Sequence, residues 1–91
     1  MYFMSVEGSI PEEKKMEFEQ TCHLAGTQIP QTCAGFSFRK DQYNQDTYRF
    51  ISYWSSLEAL EEFKASTPYQ MLIGAISTLG ELHERKQVQF V

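Results

Sequence analysis

Three side chains stand out as able to do chemistry: His23, Trp54 and Tyr69. A neutral imidazole titrates near neutral pH and is suited to taking a proton from a bound molecule, which makes His23 the candidate base. The same residue also fits a plainer role as a partly exposed helix-end side chain near the negative end of the helix dipole. Trp54 offers a flat face for stacking and an indole N–H for an oxyanion, or it fills the core between sheet and helices. Tyr69 brings a phenol directly after Pro68, either at a ligand entrance or as the anchor of a helix start. The second histidine, His83, opens the last strand and reads as a surface residue.

Metal chemistry finds little support. Cys22 and Cys33 form no CxxC pair and no Cys/His set with zinc spacing, although His23 adjoins Cys22. They read first as small apolar fillers, with a disulfide or a reactive thiol as the alternatives. Glu58, Glu61 and Glu62 read as a solvated helix face near its N-terminus rather than an acid/base pair.

The elements that position these groups must fit into 91 residues, of which 42% are apolar and 22% charged. That is one folding domain over residues 1–91. A chain of this size hides only about two-thirds of its unfolded surface, so it tends to need a metal, disulfides or a partner subunit. Twelve acidic against eight basic residues give a net charge of −4, with no long Lys/Arg run, which argues against a nucleic-acid surface. The longest apolar stretch, Met71 to Ile76, falls far short of the roughly 20 residues of a bilayer span, and the first residues carry no basic leader. A soluble, cytoplasmic protein without membrane contact is expected.

Tyr2 to Val6 reads as a first strand stopped by a turn at Glu7-Gly8. Ser9-Ile10-Pro11-Glu12 reads as a capping box opening a helix that buries Met16, Phe18, Thr21, Cys22 and Ala25 and ends at Gly26. Cys33 to Arg39 and Thr47 to Trp54 form a hairpin across the polar loop Asp41 to Asp46. Ser55-Ser56-Leu57-Glu58 caps a second helix with Leu57, Leu60 and Phe63 on one side. Pro68 breaks it, and Tyr69, Leu72, Ile73, Ile76 and Leu79 continue at helical spacing to Gly80. Gly74 in that segment marks either a close approach to the sheet or space for a ligand. Leu82 to Val91 is the last strand.

The order β-α-β-β-α-β permits a four-stranded antiparallel sheet with all helices on one face, because right-handed crossovers deliver them to the same side. Tyr48, Phe50 and Trp54 then point one way and Ile51 and Tyr53 the other, while Phe3 opposes Tyr2, Met4 and Val6. The helix-free face is apolar enough to be an association surface. Two copies facing each other would close it as a barrel, with Tyr53 in the intersubunit layer, so a homodimer is expected.

Along Tyr48-Arg49-Phe50-Ile51-Ser52-Tyr53-Trp54-Ser55-Ser56-Leu57-Glu58-Ala59-Leu60 the chain resembles the dimeric α/β barrel superfamily, and within it the antibiotic biosynthesis monooxygenase domains. The resemblance lies in a third strand ending in Trp, a Ser-containing cap and a Glu-Ala helix opening; Pro30, Gly35 and Phe36 resemble the entry to the second strand. It implies a ferredoxin-like protomer, a homodimer and a pocket between sheet and helices. The implied activity is a cofactor-independent monooxygenation of a small aromatic or quinol-like substrate. The alternatives are a non-catalytic binder of small apolar molecules or an isomerase of the same superfamily. Trp54 matches the third-strand Trp of anthrone-type oxygenases, with Phe50 where their Asn would stand. Phe63 and Ile73 stand where haem-degrading relatives carry a Trp and the iron-binding His, and the first strand has no Asn, so haem handling is disfavoured. The resemblance thus gives Trp54, Phe50, Phe63 and Ile73 as substrate-binding positions, and together with the side-chain chemistry above it leaves His23, Trp54 and Tyr69 as the candidate catalytic ones.

Overall fold

Tyr48, Phe50 and Trp54, with Ser52 between the last two, give one face of their strand large rings that must be covered, and the rest of the chain is arranged to cover it. The computed structural model describes residues 1–90. Its elements are β1 (Tyr2–Ser9), a 3-10 turn (Glu12–Lys14), α1 (Lys15–Gly26), β2 (Cys33–Lys40), β3 (Thr47–Trp54), α2 (Leu57–Lys64), α3 (Thr67–Leu79) and β4 (Glu81–Gln89). The sheet is antiparallel throughout, in the order β2-β3-β1-β4. This is the ferredoxin-like βαββαβ arrangement, with its second helix divided at Ala65 and Ser66 and restarted with Pro68 in the first turn of α3.

The core lies between sheet and helices. Met4 and Val6 of β1, Tyr48, Phe50 and Trp54 of β3, Phe18, Cys22 and Ala25 of α1, Leu60 and Phe63 of α2, and Tyr69, Leu72 and Ile76 of α3 are all buried there. The opposite face has no helix. In register across it lie Phe3, Tyr53 and Val88, flanked by Ile51, with Phe3 5.6 Å and Phe90 6.3 Å from the Tyr53 ring. Farther along the same face the residues turn charged, with Glu7 bonded to Arg49 at 2.5 Å and Arg39 and Glu84 on the flanking strands. Tyr53, Val88 and Phe90 are each close to 40% exposed.

Several local expectations change. β1 continues through Glu7-Gly8 to Ser9, because Gly8 remains paired with both Tyr48 and Leu82 and the irregularity opposite it is only a register shift against β4. A Cβ on Gly8 would sit 2.5 Å from Ile76 Cγ2, so this glycine serves the close seating of α3 rather than a turn. Ser9 therefore cannot cap a helix: it is in the strand, and its hydroxyl meets His83 Nε2 at 2.8 Å. Ile10, fully buried, donates its N–H to the Asp46 carbonyl, and Pro11 leads into the 3-10 turn without a side-chain cap.

α1 keeps Phe18, Cys22 and Ala25 inside as expected, but Lys15 takes the place expected for Met16 and Thr21 is only half-buried. Lys15, Phe18, Cys22 and Ala25 face inward and Met16 is 76% exposed. Residues two apart on a helix do not share a face, so Met16 and Phe18 cannot both be buried, and Phe18 takes the core site. Lys15 is tolerated because its ammonium lies 2.9 Å from Glu12 and 3.0 Å from Asp46, tying the start of α1 to the β2–β3 loop; the two carboxylates hold its pKa above the usual lysine range. In α2 the Ser56 hydroxyl accepts from Ala59 N–H as the capping signal suggests, whereas Leu57, in the first turn, stays exposed.

Gly74 is exposed and a Cβ there would meet nothing within 4 Å, so the expected approach of backbone to sheet does not occur at this position. The approach occurs instead at Gly80, where a Cβ would collide with the Ser9 carbonyl. Gly74→Ala is therefore expected to raise stability by about 0.5–1 kcal/mol. Gly80→Ala is expected to lower it by at least about 1–3 kcal/mol. Urea unfolding midpoints of the two variants check the opposite signs.

Candidate functional site

β2 is an edge strand, bonded on one side only to β3. Its Phe36 and Phe38 lie opposite Ser52 and Phe50, so both rings project to the helix side of the sheet. α1 passes above them without closing the gap. At the end of α1 stands Gly26, where a Cβ would lie 3.8 Å from Phe36 and 3.9 Å from Phe38. What remains is a cleft of about 590 Å³, with Phe36 and Phe38 on one wall and Cys22, His23 and Gly26 on the other. That size suits a small-molecule site.

One end of the cleft is polar. The Tyr48 hydroxyl donates a short hydrogen bond to Glu19 Oε2, and Lys40 Nζ reaches the same oxygen at 3.3 Å while lying 5.5 Å over the Tyr48 ring. The phenol bond, aided by Lys40, holds the Glu19 carboxyl below the usual carboxylate range. Burial, then the Glu19 charge, drives the Tyr48 phenol upward, so it stays a neutral donor. Burial, with Glu19 nearby, pushes the Cys22 thiol up to about 12. Cys22 and Cys33 are both free thiols, the second only half-buried.

The six residues singled out in the sequence fall into two groups. His23 is exposed and lines the cleft. Trp54, Phe50, Phe63 and Tyr69 form one buried aromatic cluster, and Ile73 packs half-buried against the same core. The Trp54 ring is 0% exposed, stacks on Phe63 at 4.8 Å and gives its indole N–H to Ser52 Oγ at 2.9 Å. Phe63 in turn touches Phe50 at 6.1 Å and Tyr69 at 5.5 Å, and Phe50 lies 4.9 Å from Phe38. The cluster thus backs the cleft wall, and His23 stands on the far side of that wall. Tyr69 also borders a smaller depression of about 300 Å³ with Lys64, Arg85 and Gln87. His83 is exposed at the end of the sheet.

Phe36, Phe38, Glu19, Tyr48 and Lys40 were not legible as site residues. The available signals were the Phe36-x-Phe38 alternation on an edge strand and the spacing of four between Glu19 and His23, which puts both on one side of α1. Among the described residues no group of three or more His, Cys, Asp or Glu could hold a metal, and no helix is long and apolar enough to cross a membrane.

The sequence profile described as antibiotic biosynthesis monooxygenase matches residues 1–73, from β1 into α3. No curated protein sequence matches the chain. Among solved structures, a conserved protein from Methanosarcina mazei Go1 superposes with a TM-score of 0.79 at 15% identity, over 96% of this chain and 87% of that one. A conserved protein of unknown function from Bacteroides thetaiotaomicron VPI-5482 gives 0.85 at 13% identity, over 98% and 96%. A structure named antibiotic biosynthesis monooxygenase gives 0.78 at 18%, over 97% and 94%. At these identities the three structures speak for the fold alone, and they extend it through β4, beyond the profile match.

The Cys22 environment leads to a chemical test. With its thiolate disfavoured this strongly, Cys22 is expected to resist iodoacetamide at pH 8 in the folded protein and to be labelled promptly in denaturant. Peptide mass mapping reads the difference directly.

Proposed function

Because the chain belongs to the antibiotic biosynthesis monooxygenase family, we propose that it is a homodimer that takes a small aromatic or quinol-like molecule into the cleft between α1 and β2 and oxidises it with molecular oxygen, using no cofactor of its own. The observation that carries this reading is the pairing of two aromatic faces, Phe36 and Phe38, with an imidazole, His23, in one cleft.

The chemistry follows from the substrate. Direct reaction with oxygen requires a carbon that becomes electron-rich once deprotonated, such as a methylene between two aromatic rings. His23 takes one proton from that carbon. The carbanion adds oxygen, the resulting peroxide is protonated, and loss of water leaves a carbonyl, so that CH₂ and O₂ become C=O and H₂O. The apolar walls keep bulk water from the anion. Trp54, Phe50 and Phe63 serve one layer behind, holding Phe36 and Phe38 in place, with Tyr69 and Ile73 supporting that cluster.

Binding without turnover is the second reading, and one observation favours it: the Trp54 indole N–H and the Glu19 Oε2 atom are already engaged within the protein. With anthrone in air and a chelator present, the oxygenase reading expects oxygen uptake above the uncatalysed rate. His23→Gln is then expected to lower kcat by about 10²-fold or more with little change in KM. Ligand binding with no oxygen uptake across a panel of anthrones and quinols would replace the oxygenase with a sequestering protein.

The homodimer closes the helix-free face, where Phe3, Ile51, Tyr53, Val88 and Phe90 otherwise meet water. Light scattering at micromolar concentration should give twice the 10.6 kDa chain mass. The double variant Phe3→Asp, Tyr53→Asp should give the single-chain mass, and a wild-type species of single-chain mass would overturn the dimer.

A further inference from the structure

Glu19 is held from one side only. Tyr48 and Lys40 both bond to Oε2, and among the described residues Oε1 has no hydrogen-bond partner. A carboxylate oxygen accepts but never donates, so Oε1 is a fixed acceptor at the polar end of a cleft whose walls are otherwise mainly apolar. Two anchors on Oε2 restrict the rotation of the carboxylate, so a ligand meets an acceptor already in place and loses less entropy on binding. Lys40 offsets part of its charge, which leaves a neutral O–H better matched to it than a second cation.

We propose that Glu19 is the residue that orients the substrate, accepting through Oε1 a hydrogen bond from a hydroxyl carried on the aromatic ring. The substrate class is thereby narrowed to hydroxyaromatic compounds rather than ethers or bare hydrocarbons. Glu19 and His23 stand one turn apart on the same side of α1, so a ring held by its hydroxyl at Glu19 presents a different atom to His23. Tyr48 and Lys40 are positioning residues that act through Glu19. This inference rests on the α1–β2 cleft being the binding site, as proposed above.

The test compares 2-naphthol with 2-methoxynaphthalene by calorimetric titration of the intact protein. The wild type is expected to prefer 2-naphthol by about tenfold, the scale of a hydrogen bond to a charged acceptor. Glu19→Gln should reduce that preference to about twofold or less and leave the affinity for 2-methoxynaphthalene within twofold of wild type. Tyr48→Phe, which loosens the carboxylate without removing it, should lose part of the preference. An unchanged preference in Glu19→Gln, or an equal loss of affinity for both compounds, would overturn the assignment of Glu19. So would equal binding of the two compounds by the wild type, and the cleft itself would then stand as the binding site. If neither compound binds, the cleft reading fails and this inference falls with it.

Discussion

The stacked pair of Trp54 and Phe63 fixes how the first helix after the hairpin lies on the sheet. Trp54 is the last residue of β3 and is completely enclosed; Phe63 belongs to α2 and lies nearly parallel to it, 4.8 Å away. Phe63 also sets the start of α3 through Tyr69, just after Pro68, and reaches back to Phe50 in the middle of β3. Phe50 supports Phe38 on the edge strand. A single run of aromatic contacts therefore links both halves of the divided helix, the central hairpin and the wall of the cleft. Each buried ring contributes on the order of 1.5–3 kcal/mol by burial alone, so the cluster is a large share of what holds so short a chain together.

The indole N–H illustrates how such a core tolerates a polar atom. Ser52, two residues earlier on the same strand and equally buried, accepts from it at 2.9 Å, and each polar group satisfies the other. A tryptophan ending a strand in a family of oxygenases invites assignment to the active centre. Its placement here is behind the wall, and the polar groups that face the cleft come from α1, β2 and β3 instead.

Much of the fold was legible because sheet alternation is a strong signal. Thr47 to Trp54 has the predicted limits, since Tyr48, Phe50 and Trp54 share one face and its ends are set by a polar loop and a serine cap. The capping box at Ser9 misled because the motif describes only local hydrogen bonding. Ladder pairing with Thr47 and Glu81 keeps Ser9 in the strand and commits its hydroxyl elsewhere. Met16 is the residue expected inside α1 because it outranks Lys15 in hydrophobicity, and two acidic partners, the neighbouring Glu12 and Asp46 from the hairpin loop, reverse that order. The site was less legible than the fold for the same reason. Glu19, Tyr48 and Lys40 lie on three separate elements, and no spacing along the chain announces that they meet.

The two rims of the sheet are finished differently. β4 carries Glu84, Arg85, Lys86 and Gln87 in succession, a polar border that discourages another strand from adding to it. β2, which like β4 bonds to one neighbour only, presents aromatic rings on the helix side, and its outer row of amides and carbonyls is not committed to the ladder. Lys15 ties the beginning of α1 to the hairpin loop, and Lys40 ties β2 to Glu19 farther along the same helix. The aromatic wall of the cleft is thus carried by a strand with one free margin, while the polar end is tied across to the helix through Glu19.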